Sequence, residues 1–488
     1  MKRIIFILLI CTAGLSMKGA DTDTLVLSLP DAISIARRQS PSAQSARNNF
    51  LSAYWNYRYF KANYLPSVTL SSAPYINKQL NKITQSDGTA LFLQQDQFGA
   101  DLTLKINQNV SLTGGSFFIK SSLTRLDEFQ NRSTAYSSQP LIAGYEQSLF
   151  GYNSLNSDKK IEPIRYREAK KNYAETIELI SATTCNHFFS LAAAQTELEM
   201  ARQNYASADT LFRMAQGRYS IGTITENEML QLEINRLNEE TNVMDAENNL
   251  KEVMQSFRSF LGMEDGGDLR LIIPDSVPKF EVPLNEAMEL AFNNSPEPEY
   301  YNRIVKEGES NLSYAKANAR LKADLYVQFG LSQTGVDIGS SYRNLMHQEY
   351  ASVSLSLPIL DWGRRRGKVK VAASQLALAR TQAEQGINDF TQNVRKLVAQ
   401  FNTQHRKVHI ASLTARRSTQ RHSVAMRLYV MDRIGILDLM SAVNEKNSAT
   451  RGFISSLRTY WSLYYTLRSL TAYDFETNTA LTEQLPLD

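Results

Sequence analysis

Two rhythms of apolar residues divide this chain. In the first, Leu325, Val327, Phe329 and Leu331 alternate with Asp324, Tyr326, Gln328, Gly330 and Ser332, and Val353, Leu355, Leu357 and Ile359 alternate with Ser354, Ser356 and Pro358. Earlier, Leu102, Leu104 and Ile106 alternate with Asp101, Thr103, Lys105 and Asn107, and the rhythm resumes at Val110 and Leu112. A period of two predicts strands with one apolar and one polar face. That pattern suits a half-buried strand of a soluble sandwich as well as a strand of a membrane barrel.

The second rhythm steps by threes, fours and sevens. It runs through Ile387, Phe390, Val394, Leu397, Phe401, Val408 and Ala411, inside a stretch from Arg364 to Leu428 that holds no proline. This is a coiled-coil seam. An earlier stretch, Ser154 to Arg218, broken only by Pro163, keeps Ile177, Ile180, Leu191, Ala194, Leu198, Ala201 and Phe212 in the same order. At ~1.5 Å per residue, some 65 residues make a rod of about 95 to 100 Å, too long to bury itself in a compact domain. A shorter helix follows each rod, one with Val243, Ala246, Leu250, Val253, Phe257 and Phe260, the other from Ile436 to about Tyr473. These can pack back along the rods, but not along their whole length.

Both rhythms occur twice because the chain is a tandem duplication. Leu29, Ala32, Ala36, Ser40 and Pro41 return 255 positions later as Leu284, Ala287, Ala291, Ser295 and Pro296, and Lys61, Ala62 and Asn63 return as Lys316, Ala317 and Asn318. Further on the offset is 210, placing Phe150 on Leu360, Ala169 on Ala379, Tyr219 on Tyr429 and Glu228 on Asp438. The shift gives the first copy about 45 extra residues between Pro66 and Gln147. The expected organisation is a leader at 1–20, a first-copy N-terminal helix at 21–65, strands with an insertion at 66–150, and coiled-coil helices at 151–262 turning at 219–226. A linker at 263–283 leads to the second copy: a helix at 284–320, strands at 321–361, coiled-coil helices at 362–473 turning at 429–435, and a tail at 474–488.

The leader changes the compartment. Lys2 and Arg3 precede an apolar run from Ile4 to Ile10, the layout of a secretory signal, with cleavage after Ser16 or Ala20. Leu8, Leu9 and Ile10 before Cys11 lack the small residue that lipid attachment wants. Loss of Lys2, Arg3 and Lys18 lowers the formal charge from +4 to +1, which argues against a nucleic-acid partner. Only Cys185 survives, so no intrachain disulfide forms. No later stretch holds the ~18 apolar residues of a spanning helix; the best, Phe453 to Leu470, is broken by Arg458 and Arg468. An exported chain of this kind is soluble in the periplasm, released, or threaded through the outer membrane as strands.

The run from Val353 through Pro358, Asp361, Trp362 and Gly363 to Arg366 resembles the strand-to-helix junction of the TolC-like outer-membrane efflux family, the outer membrane factors. Gln147 to Asn153 resembles its first-copy counterpart, and Arg218, Tyr219, Gly222 and Thr223 resemble the tip turn. The second turn, Tyr429 to Ile434, departs from the family with Asp432 where a glycine is usual. The similarity runs from about Leu29 to Tyr473. It implies a mostly α fold with membrane β-barrel strands, in which duplicated coiled-coil hairpins and β-hairpins trimerise into a helical conduit in the periplasm and one barrel in the outer membrane. It also implies a channel subunit of a tripartite efflux or type I secretion system, working with a periplasmic adaptor and an inner-membrane pump of RND or ABC type. No cofactor is implied.

Helices flank each strand group, so each group needs an even number of strands to return the chain to the same side. Two per copy give four per chain, and three chains give twelve. Asp101 to Leu112 and Ser116 to Thr124, joined at Thr113, Gly114 and Gly115, read as an added hairpin. It either decorates the extracellular end, the favoured expectation, or enlarges the barrel to eighteen strands.

Enzyme signals are missing from the sequence. His405 and His409 have the spacing of a helical metal pair, but no zincin glutamate accompanies them and Arg406 and Lys407 oppose a cation. No phosphate-cradling glycine loop or nucleophile elbow occurs. Arg364, Arg365 and Arg366 suit headgroup anchoring at a barrel rim. Tyr54, Trp55, Tyr57, Tyr59 and Phe60 suit either helix packing or an interfacial aromatic belt. The candidate site is the pair of tip turns, where Glu228 and Asp438 bring a carboxylate to one position of both copies. A ring of acidic groups at a narrow mouth concentrates cations, whereas a solvated helix start also favours acids. The family resemblance implies a contact from Tyr429 to Glu228 that narrows the mouth. The family's arginine falls on Ile434, with Arg433 beside it as a replacement, and a second acidic position falls on Ser441. Tyr219, Gly222 and Asp432 are the expected adaptor-docking turn. The rival reading is a periplasmic coiled-coil scaffold that tethers other proteins.

Overall fold

The computed structural model describes residues 25–263 and 266–481. The expected leader at 1–20, its expected cleavage site and the end of the tail lie outside the described residues. β1 (Leu25–Ser28) leads into α1 (Leu29–Gln39) and α2 (Pro41–Ala62), then β2 (Ser67–Ser72), β3 (Tyr75–Thr84), β4 (Ala90–Val110), β5 (Gly115–Glu128) and β6 (Ser133–Ser148). The rod α3 (Ser154–Ser220) and its return helix α4 (Glu226–Leu261) end the first copy. After β7 (Leu269–Ile272) come α5 (Leu284–Asn294), α6 (Glu297–Asn318), β8 (Lys322–Gly335), the single turn α7 (Ile338–Ser341), β9 (Met346–Ser356), α8 (Arg364–Val430) and α9 (Ile436–Thr471). The short pair β10 (Tyr473–Asp474) and β11 (Thr479–Ala480) follows.

Helix lengths carry the duplication into three dimensions. Helices of 11, 22, 67 and 36 residues occur in that order in both copies. The 67-residue rods are about 100 Å long. The first is not broken at Pro163, as the sequence suggested; α3 runs through it, giving up the one backbone bond that a proline cannot donate. Start signals are local: Ser28 and Asp31 form a capping box on α1, and the Ser40 hydroxyl accepts from the Ala43 amide at 3.1 Å to start α2.

The shorter helices each cover only part of a rod, about half for α4 and α9 and about a third for α2 and α6. Towards the tip turns, α3 packs between α4 and α9, and α9 packs on α8; towards the strands, α3 packs against α2 and α6, and α6 packs on α8. The helical body is therefore a strip four helices across at either level. Its flanks carry unpartnered coiled-coil seams. On α4, Leu230, Ile234, Leu237 and Met244 are exposed at coiled-coil spacing, and on α8 Ile410, Leu413 and Val424 are exposed.

The main core lies midway, where α1, α5 and the parallel pair β1–β7 clasp the rods. Phe188, Phe189, Phe257, Phe401, Leu457 and Tyr460 are fully buried there, each contributing about 1.5 to 3 kcal/mol by burial. Glu178, 2% exposed, lies 3.0 Å from Arg37 and 3.2 Å from Arg468, and Arg468 lies 3.0 Å from Asp474. Removal of either arginine leaves a buried charge short of a partner, a change that costs about 3 to 5 kcal/mol in such settings.

The large sheet corrects the expected strand count. Its order is β2–β4–β5–β6–β8–β9, with β3 paired to the far half of β4, and every pairing is antiparallel. β2 and β3 are two halves of one row interrupted at Ala73 and Pro74, so the chain supplies six rows: four from the first copy and two from the second. The hairpin expected as decoration is β4–β5. It lies in the plane of the sheet, paired from Val110 on Gly115 up to Gln97 on Glu128. Only the β3–β4 hairpin, turning through Asp87 and Gly88, rises beyond the other rows.

Register places most apolar residues of the six rows on one face, with Phe118 and Ile142 as buried exceptions on the other. One line across the sheet runs Val68, Ile106, Ile119, Ala143 and Phe329. Leu70, Leu102, Leu104, Phe117, Leu141, Val353 and Leu355 share this face and are exposed. The opposite face carries Asp101, Lys105, Lys120, Glu146, Tyr326 and Gln328. There Lys105 stands 4.8 Å over the buried Phe118 ring. Among the described residues no helix is long and apolar enough to cross a membrane.

Candidate functional site

The two hairpin tips lie together. Leu211 and Ala215 of α3, Leu232 of α4, Ala425 of α8, and Leu439 and Ala442 of α9 form one small buried cluster, with Ile224, Tyr429, Ile434 and Ile436 packed on it. The turns above the cluster are built alike. Gly222 (φ +75°) and Asp432 (φ +61°) occupy equivalent left-handed positions, and their amides reach the carbonyls of Tyr219 and Tyr429 at 2.9 and 3.0 Å. The departure at Asp432 thus keeps the turn, with a side chain where glycine is the easier residue.

The helix starts differ. Thr225 caps α4: its hydroxyl accepts from the Glu228 amide at 3.2 Å, and the Glu228 carboxylate accepts from the Thr225 amide at 3.2 Å. Glu228 thereby closes a capping box. Asp438 holds the equivalent place in α9, whose N-cap is Gly435 with no side-chain bond, so its exposed carboxylate faces solvent in the first turn.

Arg218, Glu228, Tyr429, Asp432 and Ile434 line one hollow between the tips. The structure therefore gathers three residues expected at the site, Glu228, Tyr429 and Asp432. Within the subunit the Tyr429 hydroxyl bonds to no described residue. Burial raises its pKa above that of an ordinary phenol, Arg218 opposes this, and the Glu228 and Asp432 carboxylates add to it, so it stays protonated at neutral pH. Arg433 and Tyr219 are exposed. The arginine that enters the hollow is Arg218. Its guanidinium lies 3.6 Å from Asp432 and donates to the Val430 carbonyl at 3.2 Å. Sequence reading used Arg218 only as part of the turn motif. The available signal was that Arg218 meets Leu428 at the 210 offset, an arginine in one copy without a counterpart in the other.

The aromatic run on α2 divides. Tyr57 stacks on Tyr166 of α3 at 4.5 Å, with Phe50 and Tyr54 nearby, whereas Trp55 and Tyr59 are exposed. Ile359 and Trp362 are about nine-tenths exposed between β9 and α8, directly before Arg364, Arg365 and Arg366.

Several solved structures share this fold, outer membrane channels among them. The Campylobacter jejuni CmeC outer membrane channel is 12% identical, with a TM-score of 0.65 over 94% of this chain and 87% of its own. The Vibrio cholerae outer membrane protein VceC is 12% identical, with a TM-score of 0.62 over 91% and 95%. A Pseudomonas aeruginosa membrane protein is 14% identical, with a TM-score of 0.64 over 94% and 92%. No curated protein matches the sequence. A family profile described as outer membrane efflux protein does match, over residues 32–263 and 302–443, and with that match the chain belongs to the outer membrane efflux protein family.

Proposed function

We propose that the chain is one subunit of a trimeric, passive exit duct, with its strands in the outer membrane and its rods reaching through the periplasm. The observation that carries this reading is the apolar face spread over all six strand rows, set at the end of rods about 100 Å long. A lipid-facing band is what strands of a membrane barrel need, and a soluble scaffold has no use for one. The open flanks of the helical strip, with exposed seams on α4 and α8, fit head-to-tail packing of copies into a closed ring.

In this duct the tips form the periplasmic mouth. Tyr429 contacts Glu228 across neighbouring helices to narrow it, Asp438 lends negative charge to the entrance, and Arg433 stands at its rim. The turns at Tyr219, Gly222 and Asp432 meet an adaptor, which links the duct to an inner-membrane pump of RND or ABC type. The chain hydrolyses nothing itself; coupling belongs to the pump. Cell fractionation tests the reading. Heat-modifiable trimers in outer-membrane fractions, conducting in planar bilayers, are expected. A periplasmic protein without conductance ends the proposal in favour of the scaffold.

A further inference from the structure

We propose that the copies close a wall of eighteen rows, β9 of one pairing with β2 of the next, rather than the twelve rows that two strands per repeat would give. The inference rests on the channel reading above and adds the size and the seam of its barrel.

Three observations meet. First, β4 and β5 are bonded into the middle of the sheet over the length of β5, with β2 on one side and β6 on the other. Removing them from the wall breaks both pairings. Second, the outward faces of the added rows match those of their neighbours. Leu102, Leu104 and Phe117 are exposed just as Phe329 and Val353 are. A hairpin standing in water above a membrane has no reason to present such a face, whereas one standing in lipid must. On β8 the outward positions from Leu325 to Leu331 span about 20 Å at ~3.3 Å per residue, close to the ~25 Å height of a barrel's apolar band.

Third, both ends of the sheet are open among the described residues, and they suit each other. Rows alternate in direction from β2 to β9, so β2 and β9 run oppositely and can pair antiparallel between copies. Val68 and Leu70 at one edge and Val353 and Leu355 at the other lie on the same outward face, so a junction there continues the apolar band. In hydrocarbon every backbone N–H and C=O needs a partner, and an open strand edge is excluded. Six rows are too few to close alone. The occupant of each edge is therefore a second copy of this chain, and a ring of three has eighteen rows. Because diameter rises roughly in proportion to row number, the barrel is about 1.5-fold wider than one of twelve, and the narrow point of the duct falls at the helical tips.

The full chain in nanodiscs of brominated phosphatidylcholine tests this. A lipid-sensitive fluorophore on Leu104→Cys or Phe117→Cys is expected to be quenched as strongly as one on Phe329→Cys. Paired substitutions Thr69→Cys or Ser71→Cys with Ser352→Cys or Ser354→Cys, all on the polar face, are expected to yield a subunit-to-subunit disulfide on oxidation. Projections of the particle should show a barrel about 1.5-fold wider than a twelve-row one. Quenching at Phe329 but not at Leu104 and Phe117 overturns the eighteen-row wall and leaves the channel standing. No quenching at any of the three overturns the channel reading itself. Quenching at all three with no disulfide from any pair overturns the β2–β9 seam.

Discussion

Arg218 and Asp432 meet across the two hairpin tips, guanidinium to carboxylate at 3.6 Å, although they come from different repeats. Asp432 is 87% exposed, so the pair contributes at most about 1 kcal/mol. The left-handed backbone at Asp432 costs a similar amount, about 1 kcal/mol, relative to glycine. The two effects offset one another. Asp432→Gly should therefore leave the tip as resistant to limited proteolysis as the parent. Asp432→Ala keeps the strained backbone and loses the ion pair, and should be cut several-fold faster. Equal rates for the two variants would show that the strain plays no part.

The mouth pair makes a different demand. The Glu228 carboxylate already accepts from the Thr225 amide, so a bond from Tyr429 adds to the cap. A hydrogen bond to a charged group costs about 1 to 3 kcal/mol to break. Tyr429→Phe with Glu228→Ala should raise single-channel conductance while trimers persist on gels. Glu228→Gln with native Tyr429 serves as the control that retains the capping geometry. If the double variant conducts like the parent, the constriction lies elsewhere.

Asp438 is exposed at a helix start without a side-chain cap bond, so its proposed effect on the mouth is through charge alone. Asp438→Ala should lower the preference for cations and weaken block by multivalent cations, with little change in pore width. Reversal potentials across a salt gradient measure this. An unchanged reversal potential would return Asp438 to the role of an ordinary helix start.

The rods, the return helices and the duplication were legible because each rests on a long repeated signal. The seam from Ile387 to Ala411 spans many turns, and an offset holding Phe150 on Leu360 also holds Glu228 on Asp438. Continuity through Pro163 was not legible, because propensity alone argues for a break and packing of the rod overrides it. The strand count failed for another reason. Alternation marks Leu102 to Ile106 as a strand, but neighbours in a sheet are chosen by pairing, and no local pattern says that β4 is inserted between β2 and β5. At the tips, the repeat offset paired Glu228 with Asp438, and the family resemblance singled out Tyr429. Arg218 was missed because its partner, Asp432, is 214 residues away and not at the repeat offset.

A last prediction concerns Glu175, halfway along the body on α3. Burial, with the charge of Glu297 at the start of α6 adding to it, pushes its pKa from 4.5 to about 8. The folded chain therefore holds a proton at neutral pH that the unfolded chain releases. By linkage, stability from this site is fully present below about pH 4.5, falls as pH rises through the interval, and reaches its floor above about pH 8. Glu175→Gln mimics the protonated group and has no such slope. Because Glu175 is only half-buried, solvent screening reduces the difference to the order of 1 to 3 kcal/mol. Thermal unfolding followed by helical circular dichroism should give equal midpoints for parent and Glu175→Gln at pH 4.5, and a higher midpoint for the variant at pH 9. Glu297→Gln should recover part of that gain in the parent background by removing the neighbouring charge. Midpoints that stay equal at both pH values would show that Glu175 ionises freely, with its carboxylate reaching solvent in the folded chain.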